Sequence, residues 1–423
     1  MTKFKKNSLL EYIPDKFDTE FEVQKERIYD YNDKKIFDGL IIYLCQREIR
    51  AFDNWALQFA KQKSEKLNLP LKIVHPKITY DSSKKQEFID NQIMKAKNNF
   101  FDLNLNFEII NYAELPNYLK NKEISFLIKD FNPIDDANFF ENLDLKIFEI
   151  DSHNIIPARF VSDKQEYNAA TLRKKIYYKI YPFLTEFPNN QYQNTEAYLT
   201  LRNFINNKLS LYSEFKNDPS KNVVSGLSKY LNLGFISSQR AAIEVLKSDV
   251  SDENKEAFLE ELIIRKELAD NFCHYAKNFK TLDGIPSWAK NTLNFHKYDL
   301  RPYLYDLNVL EQAKTHDKLW NASQNQLIKQ GVINGYLRMY WCKKILEWSK
   351  NPQTALNNAI YLNDKYAFDA PSPNGYTGIL WAIGGLHDRA FKDFFITGKI
   401  RRMTFNSVSK KFNSELYINK FTT

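Results

Sequence analysis

Between residues 36 and 151 the chain alternates short apolar runs with longer, mainly polar segments. The apolar runs are IFDGLIIYLC, LKIVH, NFEIINY, ISFLIKDF and LKIFEID. Runs of this length, separated by stretches long enough for a helix, are typical of parallel strands covered on both faces. The first run is followed by QREIRAFDNWALQFAKQKSEKL, in which apolar residues recur at helical spacing. The pattern predicts a doubly wound α/β domain with a parallel sheet, although no GxGxxG fingerprint follows its first strand.

The strand pattern ends near residue 160, and the rest of the chain is predicted to be helical. In DENKEAFLEELIIRKELADNFCHYAKNF and QNQLIKQGVINGYLRMYWCKKILEWS, apolar residues recur at i, i+3 and i+4, which is the spacing of one helix face. Asp252 is a candidate N-cap of the first helix. The predicted division is an N-terminal extension (1–35), an α/β domain (36–160), a linker (161–200) and an all-helical domain (201–423).

Composition narrows the class of protein. The 60 Lys and Arg residues exceed the 52 Asp and Glu residues by only eight over 423 residues, so a polyanionic partner would have to bind a local basic patch. Cys45, Cys273 and Cys342 form no CxxC pair, which argues against a disulfide framework or a zinc knuckle. The sequence contains no apolar signal segment and no apolar run of membrane-spanning length. A cytoplasmic monomer is expected, or a nuclear one in a eukaryote, without a membrane or an obligate protein partner.

Motifs for nucleophilic, metal-dependent or P-loop chemistry are missing from the sequence. The six histidines are scattered and none has a metal-ligand spacing, so no metal site is predicted. Ser225 and Ser228 flank Gly226 at a predicted helix start, where hydroxyl and backbone N–H groups could hold a phosphate. A serine-glycine helix cap is common, however, and the residues alone favour that structural role.

Glu261 and Arg265 stand four residues apart on an otherwise apolar stretch of predicted helix. They are expected either to form a salt bridge at the edge of the core or to face a ligand as a carboxylate and a guanidinium. The residues alone slightly favour the salt bridge.

The segment GYLRMYWCKKILEW places a cation among large aromatic residues. Arg338, Trp341, Ile345 and Trp348 recur at spacings of three and four, so they share one helix face. The two indoles lie roughly 10 Å apart along the helix axis. Such a stripe is more often core than functional, but a guanidinium on a buried face needs an anionic partner.

Nine blocks of the sequence, in order, resemble one family. They are CQREIRAFDNWAL, DSHNIIPARFVSDKQEY, GLSKYLNLGFISSQRA, EELIIRKELADNF, THDKLWNASQ, GYLRMYWCKKILEW, AIYLNDKY, PNGYTGILWAIGGLHDRAF and GKIRRM. The family is that of the class II cyclobutane pyrimidine dimer photolyases, which the chain resembles over nearly its whole length. The resemblance implies an α/β domain, a helical domain that binds FAD in its reduced form, FADH⁻, and light-driven electron transfer to a pyrimidine dimer flipped out of double-stranded DNA. It leaves open whether an antenna chromophore is also bound, and which one.

The resemblance also implies roles for individual residues. Positions that match those holding FAD are Tyr212, Ser225, Gly226, Leu227, Ser228, Arg265, Arg338, Asn363 and Asp369. Arg338, paired with Asp369, matches an arginine beside the isoalloxazine, and Asn363 matches the asparagine at flavin N5. Glu261 matches a residue that lines the lesion pocket and could hydrogen-bond the dimer. These four residues form the implied catalytic set.

Further positions are implied for the lesion, the DNA and the electron path. Met339 and Trp381 match lesion-pocket residues, and Arg401 matches the segment that fills the gap left by the flipped dimer. Lys399 and Arg402 stand beside Arg401 in one basic segment, as expected for phosphate contacts. The implied electron path is Trp341, Trp320 and Trp348, with Tyr336 and Tyr340 as candidate side branches.

Two positions depart from the family pattern. Ser372 stands where an aspartate is usual, and Phe391 stands where a tryptophan is common. These changes affect the expected flavin surroundings and the DNA-facing surface, and activity is still expected. The alternatives are a cryptochrome-like flavin photoreceptor, a (6-4) photolyase or a flavin-free nucleic-acid-binding protein.

Overall fold

The computed structural model describes residues 8–120, 123–188 and 191–422. Within them the chain begins with a single six-stranded sheet. Its strands are β1 (Ile28–Asp30), β2 (Leu40–Leu44), β3 (Leu71–Lys77), β4 (Phe107–Asn111), β5 (Ile124–Asp130) and β6 (Ile147–Ile150). Their order across the sheet is β1-β6-β5-β2-β3-β4, and β2 to β6 pair in parallel. The predicted doubly wound, mainly parallel sheet is confirmed.

Both faces of the sheet are buried, which explains the unbroken apolar runs. Ile41 and Tyr43 of β2 belong to one hydrophobic core, whereas Ile42 and Leu44 belong to another on the opposite face. The edge strand β1 pairs antiparallel with β6. It lies within the segment expected to be an extension, and its three residues carry no apolar run that would predict a strand.

The sheet reverses its winding between β2 and β5, and the loop after β2 is closed there by a carboxylate. Asp130 Oδ2, at the end of β5, accepts hydrogen bonds from the backbone N–H groups of Gln46, Arg47 and Glu48 at 2.8, 2.8 and 3.0 Å. Dinucleotide-binding folds offer a phosphate site at this kind of position. Because a side chain of the protein occupies these amides, the loop needs no glycine-rich fingerprint.

The remainder of the described chain is mainly helical, as predicted. The α-helices are α1 (Trp55–Leu67), α2 (Ser83–Asp102), α3 (Leu115–Lys120), α4 (Ala137–Glu141), α5 (Ala158–Val161), α6 (Ala169–Lys179), α7 (Glu196–Asn207), α8 (Tyr212–Phe215), α9 (Ser228–Leu231), α10 (Ser238–Leu246), α11 (Asp252–Leu259), α12 (Lys266–Tyr275), α13 (Ser287–Phe295), α14 (Leu307–Glu311), α15 (Lys318–Gln330), α16 (Gly335–Trp348), α17 (Pro352–Tyr366), α18 (Pro373–Gly384), α19 (Phe405–Ser409) and α20 (Ser414–Phe421). A π-helix, Glu260–Arg265, joins α11 to α12. The 3₁₀-helices are Leu9–Tyr12, Lys25–Arg27, Tyr112–Glu114, Tyr181–Phe183, Gln191–Asn194, Leu209–Leu211 and Leu282–Gly284.

Two predicted helix starts are wrong. The helix after β2 begins at Trp55, because Asn54 caps it by accepting a hydrogen bond from Leu57 N–H at 3.0 Å. The preceding residues form a buried polar loop. In the second case Ser251, not Asp252, occupies the N-cap position of α11, and Asp252 is its first helical residue.

Two cores organise the helices. One continues from the sheet into the helices that follow it and includes Leu201, Phe204 and Phe258. The other is formed by residues between 272 and 421 and contains Trp320 and Trp341. The two regions of the chain are therefore packed together through the first core.

The three cysteines lie in the interior of the protein. Cys45, Cys273 and Cys342 are buried and unpaired. Among the residues that the structure describes, no helix has both the length and the apolar character needed to cross a membrane. The same residues include no group of three or more His, Cys, Asp or Glu side chains arranged to hold a metal ion.

Candidate functional site

A cavity of about 720 Å³ lies between the sheet region and the helical region. We call it the central cavity; the 720 Å³ includes space that is open to solvent. Five of the residues predicted for the cofactor or the lesion line it, namely Tyr212, Ser225, Ser228, Glu261 and Asp369. The structure therefore brings together residues that are up to 157 positions apart in the sequence.

One wall is formed by the segment from Ser225 to Ser228. Gly226 has a φ of +71°, in the left-handed region, and a Cβ added there would meet no atom within 4 Å. Ser225 Oγ accepts a hydrogen bond from Leu227 N–H at 3.3 Å, and the Leu227 side chain is buried in the core. This anchored turn presents two hydroxyls and open space to the cavity. Tyr212 begins α8 and packs against Phe258, which also lines the cavity.

A salt bridge connects α16 to the cavity. Arg338 Nη2 donates to Asp369 Oδ1 and Oδ2 at 3.1 and 3.2 Å, and both side chains are mostly buried. Asp369 follows α17 and lines the central cavity. The guanidinium on the buried stripe thus has the anionic partner that its position requires.

Asn363 is buried on α17, shortly before Asp369 in the sequence. Its Nδ2 donates to Asp364 Oδ1 at 3.1 Å, and Asp364 Oδ2 accepts a second hydrogen bond from Tyr376 at 3.0 Å. A Cβ added to Gly375 would lie 3.0 Å from Asn363 Nδ2. The glycine therefore allows α18 to pack closely against the amide of Asn363.

The predicted pairing of Glu261 with Arg265 is wrong, because this turn is a π-helix. Hydrogen bonds from residue i to i+5 bring side chains five positions apart onto one face. Arg265 Nε consequently lies 3.1 Å from Glu260 Oε1. Glu261 instead pairs with Lys216 at 2.9 Å and borders the cavity, with 47% of its side chain exposed.

The floor of the cavity is polar and was not anticipated from the sequence. Arg47, from the loop after β2, forms a bidentate ion pair with Asp270 of α12 at 2.8 and 3.0 Å. The Arg47 guanidinium holds the pKa of Asp270 well below its usual range despite burial, which acts in the opposite direction. Lys266 donates to the carbonyl of His153 at 3.0 Å. Since Arg47 and Asp270 are 223 positions apart, no local pattern could have revealed their contact.

Two further predicted lesion residues, Trp381 and Met339, are absent from the lining of the central cavity. Trp381 on α18 is half-buried, and its Nε1 donates weakly to Asp388 at 3.4 Å. The guanidinium of Arg265 lies 5.5 Å from the centre of the Trp381 ring. Met339 is half-buried against the second core. Arg265, expected to hold the cofactor, thus contacts the predicted lesion wall and is absent from the lining of the cavity.

Three tryptophans form a continuous aromatic chain. The rings of Trp341 and Trp320 are parallel with centres 6.2 Å apart, and Trp348 meets Trp320 edge-on at 5.8 Å. Trp341 Nε1 donates to Gln324 at 2.9 Å, and Trp320 Nε1 donates to the Trp341 carbonyl at 3.0 Å. Hydrogen bonds hold the rings of Trp341 and Trp320, and Trp348 packs against Trp320.

The chain of rings continues through residues that the sequence did not single out. Tyr305 and His316 contact Trp348 at 5.6 and 5.0 Å, and Tyr303 stacks on His316 at 3.6 Å. Tyr303 is 45% exposed, so the aromatic contacts reach the surface there.

The two predicted side branches occupy other surroundings. Tyr340 is buried and donates a hydrogen bond to Asp317, and the Tyr336 ring packs under the ammonium of Lys411. Both lie on α16 with Trp341, and each contacts a charged group.

The basic segment is exposed after α18. Lys399, Arg401 and Arg402 all lie on the surface. The guanidinium of Arg401 lies 5.7 Å from the centre of the Phe391 ring, and that of Arg389 lies at the same distance. Phe391, which departs from the family pattern, therefore retains an aromatic ring among cations.

The fold defines the class of protein. A bacterial class III photolyase from Agrobacterium tumefaciens superimposes with a TM-score of 0.65 at 13% identity, over 92% of this chain and 87% of that one. A cryptochrome from Synechocystis gives 0.69 at 12% identity, over 92% and 89% of the two chains. The chain has the fold shared by photolyases and cryptochromes.

Sequence comparison narrows that class. Deoxyribodipyrimidine photo-lyases of Potorous tridactylus, Oryza sativa subsp. japonica and Methanothermobacter thermautotrophicus are 35%, 34% and 30% identical. The matches cover 88%, 90% and 94% of this chain and 79%, 87% and 98% of the relatives. No family model matches the sequence. The chain belongs to the deoxyribodipyrimidine photo-lyase family, and the predicted membership of the photolyases is confirmed.

Proposed function

We propose that the protein is a light-driven, FAD-dependent lyase that splits cyclobutane pyrimidine dimers in double-stranded DNA. The observation that carries this proposal is the meeting of Tyr212, Ser225, Ser228, Glu261 and Asp369 around one cavity. Residues this far apart converge in a chain that belongs to the photo-lyase family. A shared cavity is what a common cofactor and substrate site requires.

The side chains that line the central cavity suit the chemical groups of flavin adenine dinucleotide. Ser225, Ser228 and Ser372 offer hydroxyls suited to phosphates and riboses, and Leu231 and Leu262 offer apolar surface for rings. The open side of Gly226 leaves room for a group to approach the backbone. When bound in its reduced form, FAD supplies the electron that splits the dimer after light absorption.

Arg338 and Glu261 have complementary roles in this proposal. The cation of Arg338, held by Asp369 at 3.1 Å, would stabilise the negative charge of a reduced flavin. Glu261, as a protonated carboxyl, would donate a hydrogen bond to the dimer at the mouth of the cavity and so stabilise the negative charge that develops on it. Lys216, 2.9 Å away, orients that carboxyl group.

The indole chain would deliver electrons to the flavin. Trp341, Trp320 and Trp348 are within 6.2 Å of their neighbours, centre to centre. A rigid environment with little water favours fast electron transfer between neighbouring rings, because little reorganisation accompanies each step. The exposed Tyr303 marks a place where a reductant in solution would reach the chain.

A second crevice is the best place for an antenna chromophore. It has a volume of about 960 Å³ and lies at the carboxyl ends of the strands, between the sheet region and α18. Tyr80, Tyr112 and Tyr376 line it, and open α/β sheets bind ligands at this edge. The chemistry of these residues does not select one chromophore.

The proposal is tested with purified full-length protein. An absorption spectrum should show a flavin, and blue light should remove cyclobutane dimers from a duplex after photoreduction. A duplex containing a (6-4) photoproduct should remain unchanged under the same light. A protein without flavin, or one that leaves the dimers intact, would refute the proposal. Flavin without repair of either lesion would favour a photoreceptor, and repair of only the second lesion would favour a (6-4) photolyase.

A further inference from the structure

A hairpin is held to the region of α13 by hydrogen bonds that involve side chains. It comprises residues 391–400 and follows α18, which carries Trp381. Phe394 N–H donates to the Gly398 carbonyl at 3.1 Å, and Gly398 N–H donates back to the Phe394 carbonyl at 2.8 Å. We call this segment the 391–400 hairpin.

His296, directly after α13, lies between two carboxylates, one of which belongs to the hairpin. Its Nδ1 lies 2.6 Å from Asp299 Oδ2, and its Nε2 lies 2.8 Å from Asp393 Oδ1. Asp393 belongs to the hairpin, whereas Asp299 belongs to the loop after α13. Since both ring nitrogens face carboxylate oxygens, both must donate, and the imidazole satisfies this only when it is protonated.

Two further contacts fix the backbone of the hairpin to the same region. Asp299 Oδ2 also accepts from Ile396 N–H at 2.8 Å, and Thr292 Oγ1 accepts from Lys399 N–H at 3.1 Å. Ile396 has a φ of +71°, a strained conformation for a β-branched residue that surrounding contacts must maintain. A Cβ added to Gly398 would lie 2.1 Å from Thr292 Oγ1. The hairpin is therefore seated tightly against α13.

The outer surface of the hairpin suits a nucleic acid. Phe395 is 60% exposed and Phe394 is 37% exposed. The guanidinium of Arg402 lies 4.9 Å from the Phe394 ring centre, and Lys392 lies 5.8 Å from the same ring. Exposed rings among cations provide both stacking surface for bases and charge for phosphates.

We propose that His296 is a positioning residue that holds the 391–400 hairpin in place, so that Phe395 and its neighbouring cations contact the DNA beside the lesion. This inference rests on the proposed repair of DNA. We call His296 with Asp299 and Asp393 the clamp. The clamp fixes the position of the hairpin, and the hairpin makes the contact with DNA. His296 itself touches neither the dimer nor the cofactor.

The clamp should depend on pH. Burial alone would lower the pKa of His296, but the hydrogen bonds and charges of Asp299 and Asp393 outweigh it and raise the pKa above its ordinary value. Arg301 acts in turn on Asp299, whose pKa is lowered first by the hydrogen bond from Ile396 N–H. A histidine with a raised pKa contributes fully below its ordinary pKa of about 6.5, and the contribution is lost as the pH rises through the raised value.

The test compares His296→Gln, which donates to one carboxylate only, with Phe395→Ala, which leaves the clamp intact. His296→Gln should accelerate amide exchange at Ile396 and Lys399 and raise the Kd for a dimer-containing duplex roughly tenfold. Phe395→Ala should raise the Kd similarly without faster exchange. Both should keep the flavin spectrum. The wild type should lose additional affinity as the pH rises above the raised pKa of His296, and this loss should be absent in His296→Gln.

Several results would overturn the inference. In His296→Gln, amide exchange at Ile396 and Lys399 could be unchanged, or it could be faster while the Kd for DNA stays the same. A third such result is that the affinity of His296→Gln for DNA depends on pH in the same way as that of the wild type. Asp393→Asn, at a side chain that is 49% exposed, provides a second way to release the hairpin if His296→Gln does not fold. A wild-type protein that binds and repairs no damaged DNA would instead refute the proposed function, which separates the two failures.

Discussion

Two helical segments that carry predicted site residues differ in how regular they are. Helix α16 is a continuous α-helix from Gly335 to Trp348, and the stripe of Arg338, Trp341 and Trp348 expected from its spacing is present. The segment from Asp252 to Tyr275 is interrupted by a π-helix. There the expected partners are exchanged, so that Arg265 meets Glu260 and Glu261 meets Lys216. In a regular helix the spacing in the sequence determines which side chains meet, whereas the π-helical turn changes the partners of Glu261 and Arg265.

The irregular turn coincides with the residues expected to face a ligand. π-helical turns are uncommon and often occur at functional sites. Releasing Glu261 from Arg265 leaves its carboxylate at the cavity and sends the guanidinium towards Trp381. One turn thus directs two charges to different surroundings, Glu261 to the central cavity and Arg265 to the Trp381 ring, whereas an unbroken helix would have paired them with each other.

The largest expected effect concerns the regular helix. Trp341→Phe should slow photoreduction of bound flavin by roughly 100-fold or more, because it removes the indole next to Trp320 from the aromatic chain. Repair by chemically reduced enzyme should be unchanged. Absorption during blue illumination measures the first quantity, and loss of dimers measures the second. Trp288→Phe, at an indole that packs against Gly385, is the matched control. Equal loss of both activities in Trp341→Phe would show that the residue is structural.

The regular parts of the fold were predictable because local patterns determine them. Unbroken apolar runs predicted β2 to β6, since both faces of the sheet are buried, and the three-four spacing predicted the stripe on α16. The contact of Arg47 with Asp270 was not predictable, because it depends on how two distant regions pack. The π-helix left no trace in the apolar spacing. The paired lysines of α16 mislead as well: Lys343 is only 4% exposed, although its charge suggests a solvated face.

An intermediate effect should separate the two glutamates of the π-helix. Glu261→Gln is expected to lower the repair rate of fully reduced enzyme by about tenfold, since one hydrogen-bonding group at the charge that develops on the dimer is weakened. Glu260→Gln, whose carboxylate pairs with Arg173 and Arg265, should alter DNA affinity more than the rate at saturation. Single-turnover repair at rising DNA concentration distinguishes these outcomes. Identical profiles for both variants would mean that the π-helical register has no functional consequence.

The smallest expected effect tests the buried far side of α16. Lys343 donates to the Ala382 carbonyl at 3.0 Å, and burial lowers its pKa to about 8, against an opposing effect of Asp388. Its pKa in the unfolded chain is about 10.4, so between these values the unfolded state binds more protons and this lysine makes stability rise with pH. Lys343→Met should remove that rise, which is on the order of 1–2 kcal/mol between pH 7 and 9.5. Urea unfolding at both pH values measures it, with the exposed Lys329→Met as the control. If the free energy of unfolding changed equally with pH in the wild type and in Lys343→Met, the pKa of Lys343 would not be lowered by burial. The far side of α16 would then be as well solvated as its sequence suggests.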